Sequence, residues 1–166
     1  TNNDFEQNPN SIIEQSLTFT IPRYPSQAST KTNTALGAIG VSINGVPFYN
    51  QYAGPDNKPL TSEINSFDTY NGHPQGQGQY HYHMDPYSLT ATVGKSGFLG
   101  FLLDGFPVYG PEENSQSVTN SDLDDYHGHT HVTTEFTEGI YHYHITSDDP
   151  YINGGQFYGI AGSVTN

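Results

Sequence analysis

Three short blocks of this chain occur twice, in the same order. Asn44-Gly45-Val46-Pro47-Phe48-Tyr49 returns as Asp104-Gly105-Phe106-Pro107-Val108-Tyr109. Asp68-Thr69-Tyr70-Asn71-Gly72-His73 returns as Asp124-Asp125-Tyr126-His127-Gly128-His129, and Tyr80-His81-Tyr82-His83 as Tyr141-His142-Tyr143-His144. The offsets are 60, 56 and 61 residues, so only the connecting loops differ in length. Three matches in order mark a duplicated structural unit. Each half, about residues 37–90 and 97–150, is too small to bury a sufficient core alone. The halves are therefore expected to pack about a pseudo-two-fold axis in one domain, residues 37–166, with residues 1–36 as an extension outside the repeat.

The 18 Gly and 11 Pro, and the lack of any long 3.6-residue periodicity, argue against long helices. The expected fold is all-β, β-rich with long loops, and sandwich- or barrel-like. Asn44-Gly45 and Asp104-Gly105 lie between apolar runs as two-residue hairpin turns do. They predict strands over 40–43 and 46–49, and over 101–103 and 106–109. In the extension, Leu17-Thr18-Phe19-Thr20-Ile21 alternates as a half-buried strand that Pro22 ends. It either folds back on its own domain or completes a neighbour's sheet as an assembly arm of an extracellular filament.

The formal charge of −13, from 4 basic and 17 acidic residues, opposes phosphate backbones and anionic lipid. Neither nucleic-acid binding nor membrane insertion is expected, and no apolar run reaches spanning length. Absence of Cys removes disulfides, thiolate metal sites and thiol catalysis. A chain opening at Thr1 and rich in Tyr, Thr, Asn, Ser and Gly suits a processed protein, secreted or held at the cell surface.

All eight histidines fall in or beside the repeated blocks. On an extended strand, His81 and His83 share one face with Tyr80 and Tyr82 on the other, and His142 and His144 do the same. His127, His129 and His131 would also share a face if extended. Two arrangements are open. The Tyr-His-Tyr-His strands meet so that four imidazoles converge, or each half builds its own site with His73 or His129. Asp68 and Asp124, five residues before those histidines, are candidate ligands or groups that orient an imidazole. Imidazole without thiolate suits copper first and zinc second. Calcium is a further candidate for Asp122-Leu123-Asp124-Asp125 and Asp148-Asp149. The competing reading of the Tyr-His-Tyr-His blocks is a packed, hydrogen-bonded sheet face.

The twin Tyr-His-Tyr-His blocks, Asn71-Gly72-His73-Pro74, Asp104-Gly105-Phe106-Pro107-Val108-Tyr109-Gly110 and His127-Gly128-His129-Thr130-His131 resemble the YHYH domain family over about residues 37–162. The resemblance implies a secreted or surface-associated protein and metal binding, with copper in some members. Family members commonly carry Cys near the positions of Tyr70 and Tyr126, so any disulfide stapling of that kind is missing here.

The leading expectation is thus a secreted, copper-binding β domain. Its metal candidates are His81, His83, His142, His144, His73, His129, His127, His131, Asp68 and Asp124. A metal-dependent enzyme, either a copper oxidoreductase or a metal-assisted hydrolase, and a metal-stiffened subunit of an extracellular filament or sheath are the alternatives. No general base or substrate pocket is legible, so enzymatic activity is left open.

Overall fold

A computed structural model of the protein describes residues 4–166. The extension contributes β1 (Thr18–Thr20). The first half contains β2 (Ala38–Ser42), β3 (Pro47–Tyr49), the small hairpin β4 (Tyr52–Ala53) and β5 (Lys58–Pro59), a 3-10 turn (Glu63–Ser66), β6 (Gly72–Pro74) and β7 (Tyr80–Tyr82). A seven-residue helix, α1 (Tyr87–Val93), joins the halves. The second half repeats the plan: β8 (Phe98–Leu102), β9 (Pro107–Tyr109), the hairpin β10 (Glu112–Glu113) and β11 (Gln116–Ser117), a 3-10 turn (Asn120–Asp122), β12 (Gly128–His131) and β13 (Ile140–His144). β14 (Ser163–Thr165) ends the chain. No helix among the described residues is long and apolar enough to cross a membrane.

One eight-stranded sheet runs in the order β12-β13-β9-β8-β2-β3-β7-β6. The pseudo-two-fold falls between β2 and β8, which pair antiparallel with Gly40 opposite Leu102 and Ser42 opposite Gly100. Each half then adds a hairpin partner, a parallel strand (β3 to β7, β9 to β13) and an antiparallel edge strand. The β-rich single domain agrees with the sequence reading, but the sheet has two free ends and does not close into a barrel. β1 pairs in register with the chain's own β14, Phe19 opposite Val164, and both residues pack on the core.

The repeated blocks are explained by this geometry. The Asn-Gly and Asp-Gly turns are longer than the expected two-residue type. The amides of Gly45 and Gly105 donate to the carbonyls of Ser42 and Leu102, and only the glycines take positive φ, 85° and 82°. That is a type I turn closed by a left-handed glycine. The strands accordingly stop one residue earlier than expected, at Ser42 and Leu102, and resume one later, at Pro47 and Pro107; the first strand of each pair also begins earlier, at Ala38 and Phe98. The second Tyr of each Tyr-His-Tyr-His block is buried beneath its turn: Asn44 Nδ2 donates to Tyr82 Oη at 3.2 Å, and Tyr143 Oη donates to Asp104 Oδ2 at 2.6 Å. Tyr82, Tyr141 and Tyr143 lie in one core with Phe48, Leu99, Leu102, Val108 and Ile145. Because side chains alternate along a strand, the histidines are driven to the opposite face.

Candidate metal centres

In the first half, β6 and β7 pair with His73 opposite His81, and His83 follows β7 on the same face. The Nε2 atoms of His73 and His81 are 3.1 Å apart, and those of His81 and His83 2.9 Å. In the second half, β12 and β13 place His129 opposite His142, with His142 and His144 Nε2 3.1 Å apart. Each half thus gathers three imidazoles, and in the second half Glu113 joins them. Five inter-strand steps separate β7 from β13, about 24 Å at strand spacing. The structure therefore adopts the arrangement of one site per half, and the four-imidazole convergence does not occur.

The other ring nitrogen of these histidines is held by the protein. His81 Nδ1 contacts the Gln79 carbonyl at 3.0 Å and His83 Nδ1 the Asn50 carbonyl at 2.6 Å. His142 Nδ1 meets the Ile140 carbonyl at 3.0 Å and His144 Nδ1 the Gly110 carbonyl at 2.8 Å. A carbonyl only accepts, so each of these Nδ1 atoms carries the proton, and each neutral ring presents a bare lone pair at Nε2. His73 Nδ1 lies 2.7 Å from Ser66 Oγ and 3.1 Å from Asn8 Nδ2. His129 bonds the Asp122 main chain, and its Nε2 is buried without a hydrogen-bond partner.

Burial penalises the imidazolium form. It pulls His73, His83, His142 and His144 down to about 4, and His81 further still, aided there by the neighbouring His83. His129 is lowered by burial as well. At neutral pH no proton lies between the facing lone pairs of His81 and His83 or of His142 and His144. A cation fits that gap, and the protein-held Nδ1 atoms are the usual support of a metal-bound imidazole.

A carboxylate stands at each cluster, and the sequence reading passed over both. Glu63 Oε1 is 3.3 Å from His73 Nε2, and burial raises its pKa. Glu113 Oε1 is 3.5 Å from His129 Nε2 and 3.8 Å from His142 Nε2. Burial pushes Glu113 upward, but the His131 hydrogen bond and the neighbouring imidazoles outweigh it and leave the pKa lowered.

The remaining candidates are placed elsewhere. His131 shares the face of His129, but its exposed ring pairs with Glu113 Oε2 at 2.8 Å. His127 precedes β12 at φ 75°, turns away from the cluster and bonds Thr146 Oγ1 at 3.0 Å. Asp68 and Asp124 staple loops. Asp68 accepts from the amides of Tyr70 and Gly72 and from Tyr80 Oη at 2.8 Å. Asp124 accepts from the amides of Tyr126 and Gly128 and from Tyr141 Oη at 2.9 Å. The tyrosine ring lies flat on the intervening glycine, since a Cβ on Gly72 or Gly128 would collide with Tyr80 or Tyr141. These aspartates set the edge strand that carries His73 or His129; both oxygens of Asp68 and Oδ1 of Asp124 are taken by amides and phenols.

Fold and clusters together define a duplicated β domain with one buried three-imidazole cluster per half. A scan of protein families matches the YHYH protein family over residues 18–121 and 112–156. The chain belongs to that family. Searches of curated proteins and of solved structures return no match.

Proposed function

We propose that this is an extracellular metal-binding protein with two three-histidine centres, for which copper is the preferred ion. His73, His81 and His83 would hold one ion, and His129, His142 and His144 the other, with Glu63 and Glu113 alongside. The observation that carries this reading is the approach of the bare Nε2 atoms of His81 and His83 to 2.9 Å and of His142 and His144 to 3.1 Å, which is repulsive without a cation between them. Absence of cysteine and the resemblance to copper-associated family members support copper. Zinc is the second reading, favoured by the carboxylate beside each cluster. Secretion rests on the acidic, Lys-poor, Tyr/Thr/Asn/Ser/Gly-rich composition and the family resemblance. Bound copper would supply a redox-active, Lewis-acidic centre; the protein orients the rings and fixes the proton of His81, His83, His142 and His144 on Nδ1.

The test is elemental analysis of untagged protein from its native source, with electron paramagnetic resonance on the same sample. Two coppers per chain with imidazole-nitrogen hyperfine structure are expected. Two zinc ions per chain would replace copper by zinc. No bound metal, and none taken up on addition, would return both clusters to packed sheet faces.

A further inference from the structure

The two centres have the same ligand frame and different surroundings. At the first, Phe67 lies edge-on to His73 at 4.6 Å and parallel to the His83 ring, and Tyr49 stacks on His81 at 3.8 Å. The extension crosses the edge strand beside it. Asn8 reaches His73, and the Ile13 amide donates to the Gly78 carbonyl. All three imidazoles are buried, and the cavity that His81, His83 and Glu63 line is about 260 Å3.

The second centre forms the floor of a cleft of about 710 Å3, lined by His142, His144 and Glu113. The repeat position of Phe67 is Leu123, so no ring takes its place, and Tyr109, the counterpart of Tyr49, stands edge-on to His142 at 5.1 Å. His131 takes the hydrogen bond of Glu113, and the buried His129 Nε2 is left without a hydrogen-bond partner. The cleft walls carry Glu112, Glu113, Glu135 and the Tyr109 phenol, with no lysine or arginine among the lining residues. Lys95, nearby, pairs with Glu112 at 3.2 Å.

We infer that the second-half centre holds its ion with a coordination position open to the cleft and takes an exogenous small ligand there, a neutral or cationic nitrogen or oxygen donor, while Phe67 and a smaller cavity screen the first-half centre from such a ligand. This rests on the two-centre metal reading above. The acidic walls give the ligand class: with Lys95 and the bound ion counted, Glu112, Glu113 and Glu135 leave the cleft no surplus positive charge to draw an anion.

The experiment loads metal-free protein with Cu(II) and counts bound copper before any ligand is added. Imidazole and inorganic phosphate are then titrated separately, followed by electron paramagnetic resonance and the visible band. Imidazole should perturb half of the copper signal, and phosphate at equal concentration none. The responding copper should disappear in the pair H142A/H144A and persist in H81A/H83A. Thr134→Trp, an exposed rim position away from the ligands, should keep two coppers and weaken imidazole at least about tenfold. Two bound coppers that respond equally, that both ignore imidazole, or whose response survives H142A/H144A would overturn the inference alone, as would unchanged imidazole affinity in Thr134→Trp. Failure to bind two coppers at the outset would overturn the parent reading with it.

Discussion

The two halves are most alike in their strands and least alike in what their loops bring to the histidines. His73, His81 and His83 superpose in role on His129, His142 and His144, down to the main-chain carbonyls at Asn50 and Gly110 that hold the last ring of each set. The carboxylates do not correspond. Glu63 comes from a 3-10 turn, whereas Glu113 comes from β10, and the repeat position of Glu113 is Ala53. A duplicated frame has kept the imidazoles, because the register of two paired strands fixes them. The loops, free to vary in length and sequence, have filled the fourth direction twice in different ways.

The strongest way to break the likeness is acid. Six buried histidines, His73, His81, His83, His127, His142 and His144, are held near 4 or below by burial. Their folded values lie below the unfolded value of about 6.5. Stability is therefore complete above pH 6.5 and is lost as pH falls toward 4, where the unfolded chain takes protons that the folded chain refuses. Each such histidine accounts for up to about 3 kcal/mol over that window. The sum exceeds the usual margin of a domain, so metal-free protein should unfold well above pH 4 in urea titrations at stepped pH. The second half has His127 where the first has Asn71, so four of its histidines are lowered by burial, His127, His129, His142 and His144, against three in the first half. Amide exchange near pH 5.5 should accordingly open the second half first; equal opening would mean that His127 titrates freely in the folded state.

The buried tyrosines sharpen the comparison next. Tyr143 donates to Asp104, a fully buried carboxylate raised by burial, and its oxygen also accepts the Tyr158 amide at 2.8 Å. Tyr82 meets only neutral partners, Asn44 at 3.2 Å and Ser88 at 3.4 Å. Tyr143→Phe should cost about 2–3 kcal/mol, because a charged group loses a donor and a buried amide loses its acceptor, and Tyr82→Phe about 1 kcal/mol. Equal losses by chemical denaturation at pH 7.5 would show Asp104 to be neutral in the folded protein.

How much of this was legible from the residues depends on whether side chains or main chain did the work. Alternation placed His81 with His83 and His142 with His144, and the duplication predicted two halves in one domain. Glu63 and Glu113 carry no repeat signal, since each lies in a loop where the other half differs. The carbonyls of Asn50, Gln79, Gly110 and Ile140 are invisible to sequence because every residue has one. His127 was grouped with the ligands, yet its repeat partner is Asn71, and both take positive φ, 75° and 60°. Asn is favoured in that region and an amide is a poor stand-in for an imidazole, so the aligned pair already marked a turn position. Asp68 and Asp124 were grouped with the ligands as well. Their matched Tyr and Gly partners were in view, but the ring lying on the glycine is a three-dimensional fact.

The carboxylates offer a crossed test of independence. Glu63→Gln should weaken the first centre's hold on Cu(II) by about 10–100-fold, and Glu113→Gln the second's by a similar factor. The sites are about 24 Å apart, so neither change should reach the other half. Competition titration against a chelator resolves the two affinities. A loss at both centres from either substitution would mean that the halves do not act as separate sites.

The smallest expected effect belongs to the extension. Asn8 touches His73 Nδ1 at 3.1 Å and Ser66 Oγ at 3.5 Å. Ser66 in turn donates to the Glu63 carbonyl at 2.8 Å, which leaves its oxygen free to accept the His73 Nδ1 proton. Asn8→Ala removes one flank of that contact and leaves the serine, so the first centre should lose only a few-fold in copper affinity. Release of copper to excess chelator should quicken at the first centre alone, because Asn8 also helps to fasten the segment lying across its edge. Ser66→Ala, which removes the acceptor itself, should cost the first centre more than Asn8→Ala does. The reverse ranking would place the His73 proton on Nε2 and assign Asn8, not Ser66, as the group that orients the ring. The second centre provides the control: its rings rest on main-chain carbonyls that no side-chain substitution removes, and its release rate should stay unchanged in both variants.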